Sequence, residues 1–113
     1  AEAIASEIGG VRAVVIATGD GFDIASVARG GVDPQRIAAL ASSIAAIGEV
    51  VSREAGLGRG QSVTVGTDDG FAVVHGAQHG DLGLVVNVVA GREALLGQVN
   101  YRTAEAVRRL AAA

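Results

Sequence analysis

Residues 33–56 read DPQRIAALASSIAAIGEVVSREAG, and the assignment of this stretch to one long helix decides the rest of the fold. Asp33 is placed to cap the free N–H groups of a helix start, and Pro34 fits the first helical position, where its missing N–H costs nothing. Nothing interrupts the run until Gly56, a residue suited to the left-handed position just past a helix end. A helix from Pro34 to about Ala55 is roughly 34 Å long at 1.5 Å per residue, enough to cross a whole five-stranded sheet. On a helical wheel Ile37, Leu40, Ala41, Ile44, Ile47, Gly48, Val51 and Ala55 form one stripe, expected to face that sheet. The opposite side carries Ala39, Ser42, Ser43, Ala46 and Val50, with Glu49 and Arg53 only near the end. A solvated face is normally charged, whereas this one is small and weakly polar, as a surface for close helix–helix approach would be.

Working outward, the segment before this helix reads as two strands. Val11–Thr18 is β-branched and apolar on both faces, so it belongs in the middle of a sheet. Gly19-Asp20-Gly21 is a hairpin turn, and Phe22–Ala28, with Asp23 and Ser26, alternates like an edge strand. After the helix come Ser62–Thr67, Phe71–Gly76 and Leu82–Val89, joined by Asp68-Asp69-Gly70 and by residues 78–81. Ser62–Thr67 alternates Val63 and Val65 with small or polar residues and reads as the other edge, while Leu82–Val89 is apolar on both sides and central. Ala1–Ile8 reads as a short first helix, and Arg92–Ala111 as a last one turning Leu95, Leu96, Val99, Ala106 and Leu110 inward. Burying every apolar face gives a three-layer α/β sandwich with a mainly antiparallel five-stranded sheet in the order 2-1-5-4-3. The long helix covers one face and the terminal helices cover the other.

The edge strand Ser62, Val63, Thr64, Val65, Gly66, Thr67 has no Lys, no Pro and no inward charge, the usual devices that block edge pairing. Together with the smooth side of the long helix it leaves two unguarded surfaces in one half of the fold. A symmetric homodimer would cover both at once. The interface residues expected on this basis are Ala39, Ser42, Ser43, Ala46, Glu49, Val50, Arg53, Ser62, Val63, Thr64, Val65 and Gly66.

The 113 residues fit one domain, residues 1–113, with half of them hydrophobic and only 3% aromatic, so the core is aliphatic. A net charge of -3 argues against nucleic acid, which needs a basic footprint. Every basic side chain is Arg, in keeping with GC-rich codon usage. There is no Cys to form disulfides. The first ten residues, with Glu2 and Glu7, do not read as a signal peptide, and no stretch reaches the roughly 20 apolar residues that span a bilayer. A cytoplasmic location without membrane insertion is expected.

Chemistry is sparse. His75, His79 and Asp81 form a loose His-x3-His-x-Asp pattern that spans a strand and a turn, where convergence on a metal is not assured, and a structural or solvated role is favoured. Gly56, Gly58 and Gly60 follow a helix, the reverse of what phosphate binding at a helix N-terminus requires. The pairs Asp20/Asp23 and Asp68/Asp69 lie at turn tips, and no nucleophile elbow or Cys nucleophile exists. Asn100 and Tyr101 suit an ordinary boundary role. No enzyme, cofactor or metal is expected.

Over nearly its whole length the sequence resembles the roadblock (dynein light chain) family, in its bacterial branch. The resemblance is carried by residues 14–22, Val-Val-Ile-Ala-Thr-Gly-Asp-Gly-Phe, followed by Ile24-Ala25-Ser26, and by Ile37-Ala38-Ala39-Leu40-Ala41 in the long helix. Gly56-Leu57-Gly58, Asp69-Gly70-Phe71, and Leu96-Gly97 with Tyr101 and Arg102 complete it. The resemblance implies a non-enzymatic homodimer that uses the long helix and third strand, and a small Ras-like GTPase as partner near the paired helices. An arginine finger from Arg53 or Arg59 is less favoured than ordinary polar contacts and positioning of the GTPase's own switch loops. The alternatives are a small-molecule-sensing domain with a pocket between helix and sheet, and a pure scaffold subunit of a larger complex.

Overall fold

In the computed structural model, which describes residues 10–29, 31–58, 62–79 and 82–112, five strands form one antiparallel sheet in the order β2-β1-β5-β4-β3. The strands are β1 (Val11–Thr18), β2 (Asp23–Ala28), β3 (Ser62–Thr67), β4 (Gly70–His79) and β5 (Leu82–Gly91); the helices are α1 (Pro34–Glu54) and α2 (Leu96–Ala112). This is the topology expected from the sequence. Ala1–Ile8, read above as a helix, lies outside the described residues.

β1 sits between β2 and β5, with Val14 paired to Val27 on one side and to Val88 on the other. Its alternation therefore serves two cores. Val14 and Ile16 join Val73, Val86, Val88 and Val99 in a cluster under α2, while Val15 and Ala17 pack with Ala38 under α1. A third cluster, Ala41, Val74 and Val85, extends the α1 side toward β3. The buried side chains are almost all Val and Ala, which pack on a pleated surface with little rotamer freedom to lose.

Two boundaries differ from the sequence reading. β4 and β5 pair without a break from Gly70↔Gly91 to His79↔Leu82, running past Gly76 and Val89, where the sequence pattern ends the two strands. A continuous neighbouring ladder keeps glycine in a strand that its own propensity would terminate. The last helix starts at Leu96 instead of Arg92, because residues 92–95 form a turn in which Ala94 N–H donates to the Gly91 carbonyl at 3.2 Å. Leu95 therefore precedes the helix and is 68% exposed, and Leu96 is 44% exposed. The helix buries Val99 and Thr103, with Ala106, Val107 and Leu110 packed against the core.

α1 begins and ends on the expected signals. Asp33 Oδ1 accepts from Gln35 N–H at 3.1 Å, and Pro34 occupies the first turn. At the other end Leu57 N–H donates to the Ser52 carbonyl and Gly56 N–H to the Arg53 carbonyl, with Gly56 at a φ of +68°. This paired closure satisfies the last carbonyls and needs the left-handed residue that glycine supplies.

Candidate protein-interaction surface

The small residues of α1 determine how it lies on the sheet. Ala38 and Ala41 are buried, Ile37, Ile44 and Ala45 pack beside them, and Gly48 sits so close to Val63 that a Cβ there would lie 2.5 Å from the valine Cγ2. The stripe read from the sequence had Leu40, Ile47 and Val51 facing the sheet, and this is corrected: they are 54%, 64% and 59% exposed. The contact face is rotated by roughly 50°, about half of one residue's step around the helix. The wheel was centred on the large side chains, but a helix comes closest to a sheet where its side chains are smallest.

The outward side of α1 is consequently more apolar than its sequence pattern implied. Ala39, Ser43, Ala46, Val50 and Arg53 are exposed or half-buried, as expected, and Leu40, Ile47 and Val51 join them. Ser42 and Glu49 are half-buried on the flank. The serine hydroxyls do not enliven this face, because Ser42 Oγ and Ser43 Oγ both donate to the Ala39 carbonyl, at 2.9 and 3.4 Å. Leu57, just past the helix, is 77% exposed. The pair Val50-Val51 was the available signal: with Leu40 and Ile47 it extends the large apolar side chains beyond the stripe that one sheet contact covers.

β3 lies beside this surface. It pairs with β4 from Ser62↔His75 to Thr67↔Gly70, and among the described residues no strand covers its other edge. Val63 packs against the α1 core, Val65 is 38% exposed, and Ser62, Thr64, Gly66 and Thr67 are exposed. Between α1 and β3 runs a groove of about 360 Å³ walled by Ile44, Ile47, Val51 and Val63. A second cavity, of about 300 Å³, opens on the other flank of α1 between Ala45, Ala46 and Glu49 above and Val74, Leu84 and Val85 below.

Elsewhere the side chains offer structural roles. His75 is buried between β4 and α2, with Nε2 3.4 Å from Asn100 Oδ1, and burial lowers its pKa from the ordinary 6.5. His79's side chain and Asp81 lie outside the described residues, as do Gly60 and Arg59. Among the described residues no group of three or more His, Cys, Asp or Glu is placed to hold a metal ion. Asp20, Asp23, Asp68 and Asp69 are exposed, and Asp69 pairs with Arg92 at 2.8 Å. Tyr101 is exposed and stacks with Arg102 at 5.8 Å. No helix among the described residues is long and apolar enough to cross a membrane.

Comparison with known proteins agrees with this geometry. No curated protein sequence matches the chain. Among solved structures, a Roadblock/LC7 domain from Streptomyces avermitilis superposes with a TM-score of 0.81 at 26% identity, over 96% of this chain and 89% of that one. The gliding protein MglB from Thermus thermophilus gives a TM-score of 0.83 at 22% identity, over 97% and 82%. Myxococcus xanthus MglB gives 0.72 at 18%, over 89% and 80%, and these last two likenesses bear on the fold alone. The Roadblock/LC7 domain model matches residues 5–86, and with that match, the strand order and the long covering helix, the chain belongs to the Roadblock/LC7 family.

Proposed function

We propose that this chain is a single-domain, non-catalytic homodimeric adaptor of the cytoplasm that binds and modulates a small Ras-like GTPase. One observation carries the reading: Leu40, Ile47, Val50 and Val51 stand exposed on α1, and Ile47 and Val51 wall the groove beside β3, whose outer edge no described strand covers. Large aliphatic side chains on one helix face, beside a strand edge that no described strand covers, favour burial against a partner by about 25 cal/mol for each Å² covered. A two-fold axis near β3 brings this surface onto its copy, joining the two sheets edge to edge and the two α1 helices side by side. The interface then comprises Ala39, Ser42, Ser43, Ala46, Glu49, Val50, Arg53 and Ser62 to Gly66, together with Leu40, Ile47 and Val51.

The GTPase part of the reading is supported by family membership and by the scarcity of catalytic groupings among the described residues. The paired helices offer a rigid platform against which a GTPase's mobile switch loops are ordered, with Arg53 making polar contacts. A similar structure is described as MglB with a tetrameric arrangement, which concerns that protein's assembly and is in keeping with self-association here.

Sedimentation equilibrium at micromolar concentration is expected to give twice the chain mass, and Ile47→Arg to give the single-chain mass with an unchanged circular dichroism spectrum. A single-chain mass for the unaltered protein would remove the dimer. Pull-down from the native cell is expected to capture a small GTPase whose hydrolysis rate changes with added dimer; an unaltered rate would leave only scaffolding.

The cavity of about 300 Å³ beside Ala45 and Leu84 favours one second reading, a small-molecule sensor, because its volume reaches the lower end of ordinary ligand sites. A ligand-induced rise in melting temperature that disappears in Gly76→Val, a cavity-filling variant, is its test.

A further inference from the structure

The dipeptide Asp-Gly occurs twice in the chain, at Asp20-Gly21 and at Asp69-Gly70, and the fold holds the two copies differently. An aspartate followed by glycine is open to a spontaneous reaction, because glycine has no side chain to shield its backbone nitrogen from the carboxyl beside it. Gly21 lies in the turn between β1 and β2, with a φ of +96°. Its N–H donates to the Thr18 carbonyl at 3.0 Å, and among the described residues this is the only backbone hydrogen bond that Asp20 and Gly21 make. Asp20 is exposed, and among the described residues its carboxylate makes no hydrogen bond or ion pair. Gly70, in contrast, is held on both sides, opposite Thr67 in β3 and opposite Gly91 in β5. A Cβ there would run into the Ala90 carbonyl, so the backbone of β5 lies directly against it. The Asp69 carboxylate is also drawn aside by Arg92 at 2.8 Å, though an exposed pair of this kind holds weakly and the ladder does most of the holding.

We propose that Asp20 is a site of spontaneous backbone isomerisation, and that the β3–β4–β5 ladder keeps Asp69 from the same reaction. The Gly21 backbone nitrogen attacks the carbon of the Asp20 side-chain carboxyl. A C–N bond forms, the nitrogen gives up its proton, and the carboxyl hydroxyl leaves with a proton as water. The cyclic succinimide so formed then takes up water. Opening at one carbonyl restores aspartate, and opening at the other routes the main chain through the side-chain carbon as isoaspartate. One water leaves and one returns, so no oxidant or co-reactant is required. The attack needs Gly21 to turn its nitrogen away from Thr18, which means opening one hydrogen bond at an exposed loop tip. At Gly70 the same motion requires the pairings to β3 and β5 to part. Isoaspartate adds a carbon to the main chain where the turn rests on α1: a Cβ on Gly21 would lie 3.3 Å from Ala39 Cα and 3.2 Å from Ser42 Oγ. The longer turn loosens that contact and with it the seat of α1. None of this depends on the partner proposed above.

Ageing the whole chain in warm, mildly acidic buffer made with heavy-oxygen water tests the proposal, since each opening of the ring leaves a heavy oxygen in the residue. Trypsin separates the two sites, placing Asp20 in the peptide 13–29 and Asp69 in the peptide 60–92. Fragmentation that distinguishes the isoaspartyl link assigns the residue. Isoaspartate is expected to accumulate at Asp20 several-fold faster than at Asp69. In urea that unfolds the chain both sites are expected to convert at similar rates, which ties the difference to the fold. Asp20→Glu, whose longer side chain would have to close a larger and disfavoured ring, is expected to stay unconverted and to keep its melting temperature, while that of the aged parent falls. Circular dichroism of the fresh variant checks that the fold is kept. Absence of isoaspartate at Asp20 in the folded chain, or conversion of Asp69 as fast as Asp20, overturns the inference. A converted chain that melts no lower than the fresh one overturns the link to α1.

Discussion

Gly48→Ala is the sharpest test of how α1 is seated. In an exposed helix interior this substitution stabilises by about 1 kcal/mol, because alanine has less backbone freedom to lose. Here the added Cβ would lie 2.5 Å from Val63 Cγ2, about 1 Å inside ordinary carbon–carbon contact. Val63 has little room to yield. Its branched Cβ restricts rotation, and its backbone is registered opposite Val74 in β4. Overpacking of this kind costs about 1–3 kcal/mol, so the net expectation is a loss of about 1 kcal/mol. That corresponds to a fall of roughly 4 °C in melting temperature for a domain of this size. Urea denaturation at one fixed protein concentration is the assay, since self-association couples to apparent stability. Val63→Ala removes the opposing methyls, so the double variant is expected to be more stable than the sum of the singles by about 1 kcal/mol. Gly48→Ala raising the stability, or a strictly additive double variant, would refute the close approach of α1 to β3.

Two further outcomes follow from buried polar groups. Burial lowers the His75 pKa, so the unfolded chain takes up a proton before the folded one does; stability is full above about pH 6.5 and declines as pH falls toward the lowered folded value. β3 and β5, which flank β4, contain no charged residue to offset an imidazolium there. His75→Gln is expected to flatten this part of the pH–stability curve, and a curve unchanged by the substitution would show that the loss arises elsewhere. Asn87 is 4% exposed in the centre of the sheet, and its Oδ1 has no hydrogen-bond partner among the described residues. Asn87→Val, which removes that orphan acceptor and suits a central strand, is expected to raise stability by about 1 kcal/mol; a lower melting temperature would mean that the amide has a role that the orphaned oxygen conceals.

The order of elements was legible in the chain because each carries its own local signal. Asp33-Pro34 and Gly56 bound α1, the Asp-Gly-Phe turns open β2 and β4, and the doubly apolar runs at 11–18 and 82–89 mark the two central strands. Their antiparallel pairing follows from short turns and from the need to cover both faces of the sheet. Strand ends were less legible, since β4 and β5 extend through glycines only because each supports the other's ladder.

The orientation of α1 was decided by tertiary contact alone. Apolar residues occur all round its sequence, so periodicity names a helix without naming its buried face. The sheet beneath selected Ala38, Ala41 and Gly48, the side chains small enough for close packing, and turned Leu40, Ile47 and Val51 outward. The amino-acid order determined that a long helix would lie across five strands; only the fit of small residues against β1, β3, β4 and β5 determined which aliphatic side chains remained exposed.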